Sequence, residues 1–471
     1  MGDPRGLRGD APLLDAWLRF RERPPTPFTI PGHKQRTDLV GDVVDGDVPL
    51  HGGLDTVTLA HGVLAEAERR AAGLWGADVA HLSVGGSTHG NQALALAVGR
   101  PGDRVVVSRT LHRSVLLGLV LAGLEPVWVR PDADPSTGLP TSVPVAAVSE
   151  ALASADRVCA VMVGDPSYVG TLGDVGGYAQ AAHAHGVPLV VDAAWAPHLG
   201  FHPALPRHAL ARGADALVVS AHKTLPAWSQ GALVLARTER IDPGRLARGV
   251  EATHTTSPAG AILASTDAAR ALLARDGEQL LDRTIRLVSE ARVRLVEVDG
   301  LAVLEGPEVD PTKLVVLLAG TGADGFAVER DLVAAGLPLE MADRDTLVPV
   351  VTMADDQVSV GRLLDALVPA VGRHRGTPQP PLTSAAWTVD ADVATSPREA
   401  FFAPRATVRA AEAVGRVCAE VVAPYPPGIP VLAPGERIGP GILEALAEAR
   451  ARGARIAYAA DPTLATVQVV E

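Results

Sequence analysis

The stretch GADALVVSAHKTL, residues 213–225, joins an apolar run to one of the three lysines of the chain. The run ALVVS (216–220) has the length and the β-branched residues of a β-strand. Lys223 follows this run directly, between His222 and Thr224. The stretch therefore predicts a lysine just beyond the carboxyl end of a strand, which is where α/β sheets bind their ligands.

Similar runs recur on both sides of this stretch, separated by Ala- and Leu-rich segments that are long enough for crossover helices. This alternation is typical of a mainly parallel α/β sheet. Asp192 and Ser220 each close a predicted strand, so both are candidates for a ligand site. The predicted strands are RVVVS (104–108), PVWV (126–129), VCAVMV (158–163), PLVVD (188–192), ALVVS (216–220) and ALVL (232–235).

The chain is long enough for two or three domains. A helical pattern rich in Ala, Arg and Leu covers 261–297, and strands are predicted at 313–319 and 346–353. The proline-rich stretch 373–385 indicates a boundary, and the proline-dense run 423–438 predicts a fixed turn without regular structure. The predicted segments are an N-terminal arm (1–30), a large α/β domain (31–298), a smaller α/β domain (299–375) and a C-terminal domain (376–471).

Composition and charge exclude several classes of function. The formal net charge is −12 and no run of Lys or Arg is present, so a nucleic-acid binder is not expected. Cys159 and Cys418 are too few for a disulfide framework or a cysteine metal site. The longest apolar run, 116–124, is too short to cross a bilayer, and the first residues lack the apolar core of a signal peptide. We therefore expect a cytoplasmic protein without a membrane partner.

The lysines matter because lysine is the one side chain that offers a primary amine able to lose its proton at moderate cost. It forms Schiff bases, and arginine cannot replace it. If the protein needs such a bond, Lys34, Lys223 and Lys313 are the only candidates. Lys313 begins a predicted strand and is interpreted as a surface charge, whereas Lys34 lies in a turn-like stretch. Lys223 is favoured by its position, with an ordinary surface lysine as the alternative.

The stretch SVGGSTHGNQALALA (83–97) predicts the N-terminus of a helix. Gly85 and Gly86 precede Ser87 and Thr88, and a strongly helical segment follows. Free backbone N–H groups, small residues and hydroxyl donors suit a phosphate group. A plain Ser/Thr N-cap is the simpler interpretation and stays open.

The stretch VDAAWAPHLGFH (191–202) places an aspartate at a predicted strand end, before small residues. Asp192 is suited to bond a pyridine nitrogen and keep it protonated, as an electron sink requires, with Ala194 under the ring. His198 and His202 have the spacing of a helical zinc pair, which is the rival interpretation. No Glu lies between them and no third ligand is evident, so zinc is the minor alternative.

The segment Gly320 to Gly325 meets the spacing rule of a dinucleotide fingerprint, with Glu340 about twenty residues after the first glycine. A second βαβ half would be expected beside it, but only one short strand follows before the proline-rich stretch. A tight turn in the smaller domain is therefore favoured.

Taken together, these stretches resemble the ornithine/lysine/arginine decarboxylases of fold type I, which depend on pyridoxal phosphate (PLP). The resemblance covers nearly the whole chain, and the last two motifs are the most specific. It implies an α/β fold with a mainly parallel central sheet, a smaller α/β domain and a C-terminal domain peculiar to these decarboxylases. The motifs are IPGHK (30–34), GLDTVTLAHGVLAEAERRAAGLWGAD (53–78), SVGGSTHGN (83–91), PGDRVVVSRTLHRSVLLGLVLAG (101–123), VDAAWAPHLGF (191–201), GADALVVSAHKTL (213–225), HTTSPAGAILASTDAAR (254–270), SPREAFFAPR (396–405) and AEVVAPYPPGIPVLAPGERI (419–438).

The resemblance implies a role for each matching position. Lys223 would form the Schiff base with PLP, and Asp192 would pair with the pyridinium nitrogen. Ala194 would pack on one ring face and His112 on the other. Trp195 matches a tryptophan of some family members, whose indole N–H could approach the phosphate or the ring hydroxyl. The phosphate would be held by Gly86, Ser87, Thr88, Ser220 and His222.

The implied activity is decarboxylation of a basic amino acid (arginine, lysine or ornithine) to its amine and CO₂, as in polyamine biosynthesis. Lys223 or His222 would return a proton to Cα, and His112 completes the implied catalytic set. Another PLP reaction on the same scaffold (aminotransferase, aldolase or oxidase) is the alternative. A catalytically silent relative that binds a partner is disfavoured, because Lys223, Asp192 and His112 are all retained. Two carboxylates, Glu340 and Asp343, are candidates for binding the substrate cation.

In this family the phosphate site is also reached from the neighbouring subunit. Thr256, in TTSP (255–258), is the candidate for that contact. A homodimer with active sites at the subunit interface is therefore implied, and a higher oligomer of dimers stays open. We expect no N-terminal wing domain of the large acid-induced enzymes, and hence no decamer of their kind.

Overall fold

The computed structural model describes residues 3–23, 26–48, 53–54, 62–381, 392–425, 429–451 and 454–471. The chain divides into two compact units, each with its own contacts. The first unit contains Met1–Val98 and Val190–Leu281, and the second contains Gly99–Leu189 and Asp282–Glu471. The predicted domain boundaries after residues 30, 298 and 375 are not tested by this division and stay predictions.

The helices begin where a side chain can accept the free backbone N–H groups of the first turn. Asp356, for example, accepts the N–H groups of Val358 and Ser359 in a capping box. In chain order the helices are α1 (Pro12–Glu22), α2 (Thr37–Val40), α3 (Val63–Trp75), α4 (Gly86–Val98), α5 (Arg113–Ala122), α6 (Val145–Ser154), α7 (Val175–Ala184), α8 (Ala221–Thr224), α9 (Pro243–Thr253), α10 (Gly260–Val296), α11 (Gly325–Ala334), α12 (Gln357–Arg373), α13 (Pro397–Phe402), α14 (Ala410–Ala413) and α15 (Pro440–Ala451).

The strands β2 to β7 are the apolar runs of the sequence, whereas several two-residue strands were not predictable from it. In chain order the strands are β1 (Val79–Ser83), β2 (Arg104–Ser108), β3 (Glu125–Val129), β4 (Val158–Gly164), β5 (Leu189–Asp192), β6 (Ala216–Ser220), β7 (Ala232–Ala236), β8 (Ala302–Val303), β9 (Val316–Leu317), β10 (Met341–Ala342), β11 (Thr346–Val348), β12 (Asp392–Val393), β13 (Arg405–Arg409), β14 (Ala423–Tyr425), β15 (Glu436–Arg437), β16 (Arg455–Ala457) and β17 (Thr466–Val470).

In the first unit the strand order is β1-β7-β6-β5. Strands β5 and β6 are parallel, while β7 is antiparallel to both β6 and β1. Every residue of β5, β6 and β7 is buried, which explains why these strands are continuous apolar runs without alternation. The carboxyl ends of β5 and β6 carry Asp192 and Ser220, as the sequence predicts.

Two glycines let helix α4 approach its neighbours closely. A Cβ on Gly90 would lie 2.7 Å from Val218 and 2.8 Å from Val234, and a Cβ on Gly249 of α9 would lie 2.5 Å from the carbonyl oxygen of Ala93. Helix α4 therefore rests directly on β6, β7 and α9. This packing fixes the N-terminus of α4 beside the carboxyl end of β6.

In the second unit, β4, β2 and β3 form a parallel run with β2 in the centre. A separate four-stranded sheet has the order β10-β11-β9-β8, with antiparallel neighbours throughout. The segment Gly320–Gly325 forms the turn between β9 and α11, in which a Cβ on Gly322 would meet the backbone of Thr377 at 2.4 Å. Strand β11 lies between β9 and β10, so the two strands that flank α11 do not pair directly with each other. The segment itself is a 3₁₀ turn that ends at Gly322 in the left-handed conformation, as the predicted tight turn requires.

The C-terminal part of the second unit has its own apolar core. Strands pair antiparallel as β12-β15, β13-β17 and β14-β16. The prediction of an irregular run at 423–438 was wrong at its ends, because β14 and β15 lie there; residues 426–428 lie outside the described residues. The core contains Cys418, Val422, Leu432, Ile438, Ile442, Leu446 and Val469.

Most predicted elements agree with the structure. All six strands of the large predicted domain are present, and the long helix α10 matches its predicted range within a residue at each end. Strand β1 was missed, because VAHLS contains a polar histidine within a short apolar run. In the described part of the chain, no helix is long and apolar enough to cross a membrane.

Candidate active site

Lys223 lies where the sequence predicts, in the short helix α8 directly after β6. Its Nζ lies 4.3 Å from the centroid of the Trp195 ring, in the turn that follows β5. A cation over an aromatic face is held by the negative charge of the ring surface. Lys223 is half-buried, and its amine lies against a residue that follows the neighbouring strand β5.

His222 precedes Lys223 and is held by the loop that leads into β7. Its Nδ1 donates a hydrogen bond to the carbonyl oxygen of Gly231 at 2.9 Å. A Cβ on Gly231 would lie 2.5 Å from the Thr266 hydroxyl, so only glycine allows this loop to sit so close. Because a carbonyl oxygen can only accept, Nδ1 carries the hydrogen of this contact.

Asp192 ends β5 and is buried, with 9% of its surface exposed. Its Oδ2 accepts a hydrogen bond from Nδ2 of Asn91 at 2.9 Å, and its Oδ1 accepts the backbone N–H of Ala194 at 3.2 Å. Two donors from different parts of the chain fix the plane of the carboxylate. Ala194 is itself buried and small, as a surface against a flat ring requires.

Ser87 and Ser220 come together although they are far apart in sequence. Their hydroxyl oxygens lie 2.6 Å apart, and both side chains are buried. Ser87 belongs to the first turn of α4, whose free N–H groups favour an anion. Gly86 begins this helix with φ +67°, and its N–H donates to the carbonyl oxygen of Gln230. The structure thus brings the hydroxyl groups of Ser87 and Ser220 close to the free N–H groups at the N-terminus of α4.

Other predicted residues are placed differently. Thr88 is exposed in the same turn of α4, and Thr256 is exposed in the loop after α9. His112 belongs to the second unit, where it is the N-cap of α5; its Nδ1 accepts the N–H of Ser114 at 3.2 Å. The roles predicted for these three residues stay predictions.

Two residues of α4 were not singled out from the sequence. Asn91, which bonds Asp192, lies four positions after Ser87 and therefore on the same helix face. His89 connects α4 to its surroundings: Nδ1 lies 2.7 Å from the Ser83 hydroxyl, and Nε2 donates to the Val250 carbonyl at 3.0 Å. Burial lowers the pKa of His89, so the neutral form is favoured. The spacing of four residues from Ser87 is the sequence signal that could have identified Asn91.

The helical zinc pair that the sequence left as an alternative is not supported by the structure. His198 and His202 lie in a turn segment and not in a helix, so the helical zinc spacing does not apply. His198 Nδ1 lies 3.2 Å from the Thr224 hydroxyl and thereby supports α8. Within the ranges that the structure describes, no group of three His, Cys, Asp or Glu could hold a metal ion.

The other two lysines occupy different settings. Lys34 is exposed in a turn, and its Nζ donates to the carbonyl oxygen of Thr29. The interpretation of Lys313 as a surface charge was wrong: only 4% of it is exposed. Its stem packs against Gly170, where a Cβ would lie 2.5 Å from Lys313 Cγ. A long aliphatic stem can be buried in this way, and a single sequence gives no sign of it.

The two candidate carboxylates for a substrate cation lie in the second unit. Asp343 accepts the N–H groups of Asp345 and Thr346 at 2.8 and 2.6 Å, which closes the turn between β10 and β11. Burial raises the pKa of Asp343 to about 6. Glu340 accepts a hydrogen bond from the Tyr168 hydroxyl at 3.3 Å. Closing this turn is sufficient to explain the presence of a carboxylate at position 343.

The residues of the first unit fit PLP part by part. Lys223 offers a primary amine for the aldehyde, and Asp192 offers an oriented carboxylate for the ring nitrogen. The Ser87–Ser220 pair and the first turn of α4 offer donors for the phosphate. No one of these features identifies a cofactor, but their combination at the ends of the neighbouring strands β5 and β6 fits PLP.

Comparisons with known proteins agree with this chemistry. The family model described as "Orn/Lys/Arg decarboxylase, major domain" matches residues 11–331, and "Orn/Lys/Arg decarboxylase, C-terminal domain" matches residues 381–452. An arginine decarboxylase of Halalkalibacterium halodurans is 30% identical over 479 residues, which cover 98% of this chain and 97% of the relative. An arginine decarboxylase of Bacillus subtilis is 30% identical and covers 91% of each chain.

A solved structure shows the same fold. Lysine decarboxylase A from Pseudomonas aeruginosa has a TM-score of 0.82 and 21% sequence identity, with 99% of this chain and 81% of that chain covered. Sequence identity over almost the full length and the two family domains in order establish the relationship. The chain therefore belongs to the Orn/Lys/Arg decarboxylase family, and it is an amino-acid decarboxylase of fold type I that depends on PLP.

Proposed function

We propose that the substrate of this decarboxylase is arginine and that Lys223 binds the cofactor. The family defines the substrate class as a basic amino acid: arginine, lysine or ornithine. Within this class arginine is favoured, because the relatives from H. halodurans and B. subtilis named arginine decarboxylase are 30% identical to the chain. A relative from P. aeruginosa named lysine decarboxylase is 24% identical and covers 80% of the chain.

One observation carries the assignment of the cofactor site: the Lys223 amine and the buried Asp192 carboxylate follow two parallel, paired strands. In the proposed site Lys223 binds the aldehyde of PLP, Asp192 binds the ring nitrogen and Ala194 packs against the ring. Ser87 and Ser220 bind the phosphate, with support from Gly86, Thr88 and the backbone N–H groups of α4. His112 stacks on the ring, and Trp195 and His222 complete the surroundings of the lysine.

PLP, when bound, supplies an aldehyde that bonds to amines and a ring that accepts electrons. Asp192 would hold the ring nitrogen in its protonated form, with the carboxylate oriented by Asn91 and by the N–H of Ala194. The loss of CO₂ leaves a carbon that must receive a proton. The Lys223 amine holds that proton, and His222 is the second candidate donor when its ring carries a second proton on Nε2. The protein thus contributes orientation, charge and a proton.

We also infer that the molecule is a cytoplasmic homodimer whose product enters polyamine biosynthesis. Several large apolar side chains of the first unit are exposed, which supports a second copy against them: Phe28 is 95% exposed, Val43 82% and Trp228 57%. Trp228 lies in the loop that follows Lys223, so a partner there would lie close to the proposed site. Thr256 is the residue that we assign to the partner's phosphate site.

Purified protein with added PLP should release CO₂ from arginine, lysine or ornithine, with arginine giving the highest kcat/KM. Amine product and CO₂ should form in equal amounts, whereas a transaminase would form a keto acid without CO₂. Borohydride reduction of the holoenzyme followed by peptide mapping should place the cofactor on Lys223. A label on Lys34 or Lys313, or on none, would refute the assignment of the site.

A further inference from the structure

The turn between β2 and α5 joins a buried arginine to the His112 ring. Arg109 is only 4% exposed, although arginine is among the residues least often buried. Three residues later, His112 caps α5 through its Nδ1, which accepts the N–H of Ser114. The position of the ring therefore depends on the backbone of residues 109–112, and on whatever holds Arg109 in place.

Glu436, on β15, holds Arg109 from the C-terminal part of the chain. Its Oε2 accepts Nη2 of Arg109 at 2.9 Å, and its Oε1 accepts Nη1. The same Oε2 accepts the N–H of Ala433 at 2.7 Å, while Nη2 also donates to the Val431 carbonyl at 2.7 Å. Because the pair is forked and Glu436 is 1% exposed, both side chains have a single orientation.

The guanidinium is also packed on an aromatic ring. Arg109 Cζ lies 4.6 Å from the centroid of Trp128, in β3. Arg109, His112, Trp128 and Pro430 line one small cavity, so Arg109 and His112 share their surroundings. Trp128 packs in turn against the apolar cluster of Leu116, Val421 and Ala433. The arginine is thus fixed by a carboxylate, a carbonyl oxygen and a ring, and two of these come from beyond residue 420.

We propose that the Arg109–Glu436 pair is a positioning device that sets the His112 ring, so that the C-terminal strands take part in building the cofactor site. The inference rests on the proposed function, which assigns His112 to the ring of PLP. Arg109 and Glu436 touch neither the substrate nor the cofactor in this scheme. They act through the turn 109–112, and this turn is the link that an experiment must probe.

The substitution Glu436→Gln tests the link with little change in volume. Glutamine keeps one acceptor oxygen, but its amide presents N–H groups to a guanidinium that has only donors. In the cofactor-free protein, the backbone amides of Leu111 and Ser114 should exchange about tenfold faster. In the holoenzyme, the visible circular dichroism of PLP should change. The value of kcat/KM should fall by roughly 10²-fold, mostly in kcat.

Arg398→Ala is the matched control, because Arg398 joins the C-terminal part to the other end of α5. Its Nη1 donates to the carbonyl oxygens of Val120 and Leu121 at 2.9 and 2.8 Å. This variant also removes an arginine contact of the C-terminal part, but at the end of α5 that is distant from His112. Amide exchange should rise only near the end of α5, and kcat/KM should stay within about twofold of wild type.

Arg109→Lys is the second variant, since it keeps the charge and loses the fork. It should act in the same direction as Glu436→Gln, and it decides the question if Glu436→Gln does not fold. The proposal is overturned if both variants keep wild-type amide exchange at Ser114, or if Glu436→Gln changes the cofactor signal no more than Arg398→Ala does. A wild type that binds no PLP would refute the proposed function, while the exchange comparison in the cofactor-free protein would still decide on the pair.

Discussion

The contact between the Lys223 amine and the Trp195 indole, at 4.3 Å, can be observed in the cofactor-free protein. The chain has three lysines, so ¹³C-methylation of the amines gives three lysine signals that nuclear magnetic resonance separates. A group above an indole ring is shielded by its ring current. We predict that Trp195→Leu moves one lysine signal downfield and leaves the other two in place, with a loss of about 0.5–1 kcal/mol of cation–π energy.

Two controls define this measurement. Lys223→Arg should remove the shielded signal and thereby assign it, whereas Lys34→Arg should remove an unshielded one. Trp195→Phe keeps a ring and should leave the signal partly shielded. If the signal of Lys223 has the same shift in wild type and in Trp195→Leu, the amine does not lie over the indole.

At the residue scale, the sequence was sufficient where chemistry restricts the choice of residue. The positions of Lys223 and Asp192 at strand ends were predictable, because each follows from a continuous apolar run that stops at a polar residue. Asn91 was missed because amides occur in many helices, and its use depends on a partner 101 positions away. The burial of Lys313 and of the Arg109–Glu436 pair depends on packing between distant segments, which a single sequence does not encode locally.

At the scale of elements, α4 can pack closely against β6 and β7 because residue 90 is a glycine, which has no side chain. A Cβ on Gly90 would lie 2.7 Å from a methyl group of Val218. We predict that Gly90→Ala lowers the free energy of unfolding by about 1–3 kcal/mol, because the helix must move away from the sheet. It should also weaken PLP binding, since Ser87 and Asn91 lie on the same helix.

Gly73→Ala is the matched control, because Gly73 lies inside α3 with nothing within 4 Å of its added Cβ. There alanine should raise the free energy of unfolding by up to about 1 kcal/mol, through its higher helix propensity. Urea denaturation of both variants measures the contrast. Equal effects of the two substitutions would mean that α4 does not pack as closely as described.

Asp343, in the turn between β10 and β11, should make the free energy of unfolding depend on pH. The pKa of Asp343 is raised to about 6 by burial, so folding favours its protonated form. The associated stability is fully present below the unfolded-state pKa, near 4, and is lost as the pH rises through 6. Asp343→Asn keeps an acceptor for the N–H groups of Asp345 and Thr346. It should therefore stabilise the protein by about 2 kcal/mol at pH 7.5 and by little near pH 4.

Asp461→Asn is the control, because the pKa of Asp461 is shifted in the opposite direction to that of Asp343. Asp461 accepts the N–H groups of Thr463 and Thr466, and its hydrogen bonds, the largest with the Thr463 hydroxyl, hold its pKa below the ordinary value. Its stabilising effect is present above the unfolded-state pKa, so the variant should be less stable at both pH values. Denaturation midpoints at pH 4 and 7.5 test both variants. A pH-independent effect of Asp343→Asn would contradict the raised pKa.

Elements were predictable where a run was long and wholly apolar, as in β6 and β7. The direction of β7 was not, because a buried antiparallel strand and a buried parallel strand have the same composition. The two-residue strands of the C-terminal part have no periodicity to detect, and their pairing depends on residues far along the chain. For that reason the proline-dense run 423–438 gives no sign of β14 and β15, which lie within it.

At the scale of the whole molecule, the family and the reaction class followed from an ordered set of motifs, and the assembly did not. Exposed Phe28, Val43 and Trp228 support the proposed second copy of the chain, but exposure does not identify the residue that this copy contributes. The assignment of Thr256 to the neighbouring subunit depends on geometry between two copies of the chain. Only an experiment that separates the two subunits of one site can decide it.

Mixed dimers provide this experiment. Lys223→Ala removes the amine, and Thr256→Asp places a negative charge against the phosphate, so each variant alone should have no activity. If each site takes Lys223 from one chain and Thr256 from the other, a mixed dimer has one intact site and one doubly altered site. Equal mixing, with exchange of subunits, should then restore roughly a quarter of the wild-type activity. If the mixture stays inactive while native mass spectrometry shows mixed dimers, Thr256 acts within its own chain and the shared site is wrong.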